Sequence, residues 1–93
     1  MNRADKMLSK LGFNKVEEDD FVTVYDRFDD EFNYTHRIEF GHNSRSNRFF
    51  VHSYDKDLGD VKNIGNTSVG MNRDEIKAVY AKLKQLDRKS RRR

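Results

Sequence analysis

The sequence predicts an α+β domain of order α-β-β-β-α, a three-stranded antiparallel meander with two helices packed on one face. Three observations predict it. Apolar residues at helical spacing open the chain, strictly alternating residues occupy its middle, and a capped amphipathic stretch closes it. At 93 residues there is chain for one domain and one core. The apolar inventory is only 34%, but seven Phe and four Tyr bury large areas each, so a folded chain is expected.

Ala4, Met7, Leu8 and Leu11 follow the i, i+3, i+4, i+7 spacing of one helix face, which places a helix over residues 3–11. Asn2 suits its N-cap and Gly12 the left-handed position past its end, with Phe13 and Val16 folding back onto it. Phe21 to Tyr25 is β-branched and aromatic and reads as a strand. Asp29-Asp30-Glu31 is a polar turn. Tyr34, His36, Ile38 and Phe40 alternate with Thr35, Arg37 and Glu39, the clearest period of two in the chain. Residues 41–47 read as a polar loop and Phe49 to Tyr54 as the third strand. Asp55 to Ser68 reads as a long loop, with room for a short edge strand at Val61 to Ile64. Asn72 and Glu75 have capping-box spacing, and Met71 and Ile76 hold the hydrophobic-staple positions. Ile76, Val79, Tyr80, Leu83 and Leu86 then form an apolar stripe that leaves Lys77, Lys82 and Lys84 mostly off it.

Charge divides the chain. Residues 1–87 carry 14 basic and 16 acidic groups, whereas Arg88, Lys89, Arg91, Arg92 and Arg93 add five positive charges to a formal total of +3. The expected organisation is a domain over residues 1–87 and a basic tail over 88–93. No apolar run reaches the roughly 20 residues of a membrane span. Met1-Asn2-Arg3-Ala4-Asp5-Lys6 has no apolar stretch of signal-peptide length, and there is no Cys. The expectation is a cytoplasmic protein without disulfides, thiol chemistry or membrane contact.

The opening Met7-Leu8-Ser9-Lys10-Leu11-Gly12-Phe13-Asn14-Lys15-Val16-Glu17 resembles the LxKLGYxKVE start of small proteins encoded by phages and prophages of Gram-positive bacteria. The segment Thr67-Ser68-Val69-Gly70-Met71-Asn72-Arg73-Asp74-Glu75-Ile76-Lys77-Ala78 is similar to the ITMEELKAI segment that begins their last helix. The resemblance covers both ends and loosely the meander. The chain departs from the pattern in the long loop before Val69 and in its basic tail. The resemblance implies a mobile-element accessory protein and brings no catalytic residue with it.

Three constellations bear on chemistry. A second hairpin centred near Ser44 sets His36 opposite His52, with Asp26 opposite His36 if the first hairpin has a three-residue loop. These are candidate metal or acid–base residues, weighed against two histidines stacked among aromatics. No glycine-rich phosphate loop, nucleophile elbow or zincin motif is present. The reading is therefore a non-enzyme with no cofactor and no assigned metal, a ribonuclease or metal-binding protein based on His36 and His52 ranking third. The acidic residues Glu17, Glu18, Asp19, Asp20, Asp29, Asp30 and Glu31 read either as solvated turns or as one surface imitating nucleic-acid phosphates. The basic residues Arg45, Arg48, Lys84, Arg88, Lys89, Arg91, Arg92 and Arg93 read either as helix-terminus complements or as phosphate contacts. With the aromatics at core-phased positions, no stacking platform is expected. The leading functional expectation is a phage or prophage accessory protein that binds and modulates or inhibits a host protein, nucleoprotein or nucleic-acid enzyme, counter-defence against CRISPR complexes included. The alternative is a module that binds nucleic acid through the last helix and tail.

Overall fold

The fold is known from a computed structural model that describes residues 2–31, 33–56, 67–68 and 70–91. It is α+β, with helices α1 (Arg3–Lys10) and α2 (Arg73–Arg91) on one face of an antiparallel sheet. The strands β1 (Asn14–Glu18), β2 (Val22–Asp29), β3 (Tyr34–Asn43), β4 (Arg48–Lys56) and β5 (Thr67–Ser68) are adjacent in chain order. The expected meander of three is thus four full strands with a two-residue fifth against Tyr54 and Asp55. The expected edge strand at Val61 to Ile64 lies outside the described residues.

Both helix starts obey local rules. The Asp5 amide donates to Asn2 Oδ1 at 2.8 Å. At α2 the Glu75 amide donates to Asn72 Oδ1 and the Asn72 amide to Glu75 Oε1, each at 2.9 Å, a complete capping box. Met71 packs on the core while Ile76 is half exposed, so that pair does not share one apolar contact with the core. α1 ends in a Schellman turn. The Phe13 amide donates to Leu8 O and the Gly12 amide to Ser9 O, both at 3.0 Å, with Gly12 at φ +92°. That turn drops Phe13 into the core beside Leu8, Tyr25, Ile38 and Phe40.

β1 escaped the sequence reading because all five of its residues are exposed. A bulge at Val16 explains the missing alternation. Lys15 opposes Tyr25 and Glu17 opposes Val24, so Val16 is the extra residue. The bulge brings Lys15 and Glu18, three apart, onto the helix-facing side, where they pair at 2.9 Å.

The other strands outrun their apolar runs. β2 continues through Asp26 and Arg27 because each finds a partner on its own face. Asp26 takes a bidentate ion pair from Arg37, at 2.8 and 2.9 Å. Arg27 turns under the helices. β3 continues through Gly41, His42 and Asn43, read above as loop. Gly41 is required there because the Phe50 ring lies on its backbone, and a Cβ would sit 2.3 Å from Phe50 Cζ.

The second hairpin corrects the expected register. Asn43 pairs with Arg48 across a four-residue turn. Asn43 Oδ1 accepts from the Arg45 amide at 3.0 Å, and Asn47 takes φ +54° to close it. The pairing shifts by an odd number of residues, which moves one histidine to the other face. His36 opposes Asp55, and His52 opposes Glu39. In the first hairpin Asp29 pairs with Tyr34, so Asp26 faces Arg37 rather than His36.

The apolar stripe of α2 is also displaced. Ala78 and Val79 are buried, Leu83 and Leu86 pack against the core, and Lys82 is 1% exposed. Tyr80, expected in the core, is 62% exposed, and Ile76 is 52% exposed. The inward face is 75-78-79-82-83-86, rotated from the predicted one by the width of about one side chain. The helix also runs on through Arg88, Lys89, Ser90 and Arg91, so most of the expected tail is helical. Arg92, Arg93 and the Arg91 side chain lie outside the described residues.

Candidate nucleic-acid interface

Two polar networks under the helices account for the charged groups that turn inward. In the first, Asp5 on α1 accepts from Tyr25 Oη, from Lys82 Nζ and Lys15 Nζ at 3.2 Å each, and from Asn2 Nδ2 at 3.1 Å. Lys82 also donates to Gln85 Oε1 at 2.8 Å. Burial opposes the Asp5 charge, but the Tyr25 hydroxyl and the Lys82 ammonium outweigh it and hold the carboxyl below its ordinary range. Burial pushes Lys82 down and, with Asp5 alongside, pushes Tyr25 up.

In the second network Arg27 is the hub. It donates to Leu11 O at 3.0 Å and to Glu75 Oε2 at 2.9 Å, contacts His36 Nδ1 at 3.1 Å, and lies over the Phe13 ring at 4.4 Å. His36 Nε2 sits 2.7 Å from Ser53 Oγ. A serine beside a histidine invites comparison with a nucleophile and its base, but the proton is on the wrong side. Arginine only donates, so the neutral imidazole must accept at Nδ1 and carry its hydrogen on Nε2. Nε2–H then donates to Ser53, the reverse of what activation of the hydroxyl needs. Burial, followed by the Arg27 charge, holds His36 below its ordinary value and keeps this neutral form.

The metal and acid–base candidates separate accordingly. His36 is buried on the helix-facing side, edge-on to Phe13. His52 is exposed on the opposite face, tilted against Phe50. Among the described residues no three His, Asp or Glu side chains are placed to hold a metal ion.

The acidic candidates do not form one surface. Glu17, Glu18, Asp19 and Asp20 lie at the β1–β2 turn, and Asp29, Asp30 and Glu31 at the β2–β3 turn. The eight residues of β2 separate these ends by roughly 25 Å. At the first end Phe21 is 63% exposed, and Asp19 Oδ1 accepts from the Phe21 and Val22 amides at 2.7 and 2.8 Å.

The basic candidates split three ways. Arg45 and Arg48 are exposed at the β3–β4 turn, which α2 reaches when Ser90 Oγ donates to Asn47 Oδ1 at 3.0 Å. Lys89 lines a small hollow with Glu18, Asp19 and Asp20, beside acid rather than beside other bases. Lys84 and Arg88 line an open groove of about 500 Å³ between α1 and α2, together with Lys77, Arg3 and Tyr80. Among the described residues, no carboxylate lines that groove. The small residues Ala4 and Ala81 line the groove between α1 and α2, together with the long basic side chains.

The sequence reading missed Arg3, Lys77 and Tyr80 as parts of this site. The signal was present as Arg73, Lys77, Lys84 and Arg88, a basic row at helical spacing. It was hidden by assigning Tyr80 to the apolar stripe.

The helical layer is basic as a whole. α1 and α2 carry ten basic and four acidic residues, a formal +6. Two of those acids, Asp5 and Glu75, are committed to the inner networks. Residues 14–56, spanning β1 to β4, carry six basic and ten acidic groups, a formal −4. Among the described residues, no helix is long and apolar enough to cross a membrane. Comparison of the chain with protein-family models, with curated proteins and with solved structures finds no match.

Proposed function

We propose that this chain is a non-catalytic module that binds the phosphate backbone of nucleic acid through its helical layer. The observation that carries this reading is the α1–α2 groove, which Arg3, Lys77, Lys84 and Arg88 line with no carboxylate among its described lining residues. Four cations lining one channel release condensed counterions from a polyanion, a favourable term independent of base sequence. The +6 of the helical layer steers such a ligand to this side of the molecule. The test is fluorescence anisotropy with labelled 20-nucleotide DNA and RNA at about 50 mM salt. Binding that is lost in Lys77→Glu/Lys84→Glu and kept in Arg45→Glu/Arg48→Glu is the expected result. Absence of binding at that salt concentration overturns the reading.

A second reading is inhibition of a host nucleoprotein or nucleic-acid enzyme by a phage or prophage accessory protein. It is favoured by Phe21, an exposed aromatic ring bordered by Asp19 and Asp20, which suits a basic protein surface. The sequence resemblance supplies its setting, and counter-defence against a CRISPR complex belongs to this class. Affinity capture from a Gram-positive host with wild type and Phe21→Ala tests it. The expected outcome is a host nucleic-acid enzyme retained by wild type alone.

A further inference from the structure

Resting on the nucleic-acid reading above, we infer that the groove is built for unpaired rather than duplex nucleic acid, with Tyr80 as its base-stacking residue. Tyr80 is the largest exposed apolar surface of α2, and it lines the groove that holds Arg3, Lys77, Lys84 and Arg88. Tyr80, 62% exposed, contributes little to the core. Ile76, one turn earlier and 52% exposed, extends the same strip.

Two parallel lanes therefore run along α2. One is basic, formed by Lys77, Lys84 and Arg88 with Arg3 across the seam; the other is apolar, formed by Ile76 and Tyr80. A single strand has this two-sided character, with phosphates along one edge and unstacked base faces along the other. Its phosphates take the cations while a base lies on the Tyr80 ring. A duplex offers the phosphates but keeps its base faces stacked inside, so it engages only the first lane. Lys84 Nζ sits 5.4 Å from the Tyr80 ring centroid, which couples the two lanes at one point. The ring face thus already interacts with a cation, and a bound base exchanges that contact while Lys84 moves to a phosphate.

The test compares one 20-nucleotide single strand with its own duplex, at fixed low salt, on wild type, Tyr80→Ala and Tyr80→Phe. Wild type should prefer the single strand by about fivefold or more, the lower bound of one base stacked on an aromatic side chain. Tyr80→Ala should erase that preference by weakening single-strand binding alone, with duplex affinity within twofold and the salt slope unchanged. Tyr80→Phe should retain the preference, because it keeps the ring face. An unchanged thermal midpoint in Tyr80→Ala excludes unfolding as the cause. If wild type binds both ligands equally with a normal salt slope, the stacking inference fails while the phosphate reading stands. If neither ligand binds, both fail. If Tyr80→Ala weakens both ligands in proportion, Tyr80 shapes the groove and does not stack a base.

Discussion

The Arg27 guanidinium joins four parts of the chain. It satisfies the Leu11 carbonyl at the end of α1, pairs with the Glu75 that caps α2, fixes the His36 tautomer and covers Phe13. The consequence for His36 has a definite sign. Its folded value is depressed below the ordinary value of about 6.5. On acidification the unfolded chain therefore takes up the proton first. The stability His36 contributes is complete above about pH 6.5 and is lost as pH falls through its lower folded value. Urea midpoints should drop between pH 7.5 and 5.5 in wild type and drop less in His36→Gln, which cannot titrate. Equal slopes in the two proteins would assign the acid sensitivity elsewhere. Gly12 gives a second residue-scale prediction. Alanine there must adopt φ +92°, and its Cβ would lie 3.2 Å from Arg27 Cδ. Gly12→Ala should cost more than about 1 kcal/mol in chemical denaturation, since the backbone term alone exceeds the usual gain from removing glycine.

Capping chemistry was legible in the sequence because it is local. Asn2, Gly12, Asn72 and Glu75 each act within five residues, and each makes the bond its type suggests. Asn72→Ala should cost about 1 kcal/mol, measured as a lower urea midpoint with an unchanged m-value. Asn72→Asp, which keeps an acceptor, should recover most of it. What depends on partners distant in sequence was not legible. The β3–β4 register turned on where a four-residue loop places its centre, and an error of three in the pairing put His52 on the wrong face. β1 shows no alternation because a bulge interrupts it and because Lys15 bonds Asp5, ten residues away. The stripe of α2 was misphased because Lys82 was read as a surface residue. It is buried because Asp5, 77 positions earlier, supplies a counter-charge. Removing one member of such a pair strands the other. Lys82→Met should therefore destabilise by about 3 kcal/mol, the low end of the range for a broken buried pair, since Asp5 keeps Lys15 and Tyr25. In a double-mutant cycle with Asp5→Asn, the two losses should sum to more than the double mutant's loss.

At the scale of the whole molecule the fold sorts charge that the sequence only interleaves. Along the sequence the body is mildly acidic and the tail basic, because the tail is where like charges are consecutive. Folding instead divides acid from base between layers. α1 lies at the start of the chain and α2 at its end, yet they form one basic layer, while the sheet and its turns keep the excess acid. The acidic run from Glu17 to Glu31 is meanwhile pulled apart to opposite ends of β2. The charges that matter for a polyanion are then those held together in space, and their number sets the salt dependence. If Arg3, Lys77, Lys84 and Arg88 each neutralise one phosphate of a single strand, the slope of log K against log salt is about −3. Affinity then falls about 50-fold between 50 and 200 mM salt. Replacing Lys77 and Lys84 by alanine should flatten the slope by about 1.4. Replacing Arg45 and Arg48, equal in charge but exposed on a different turn, should leave it nearly unchanged. The two double variants carry the same net charge, so net charge alone predicts identical slopes. A measured difference between them locates the polyanion in the groove. Identical slopes would mean that phosphates sample the whole basic surface, and the groove would lose its claim to be the binding site.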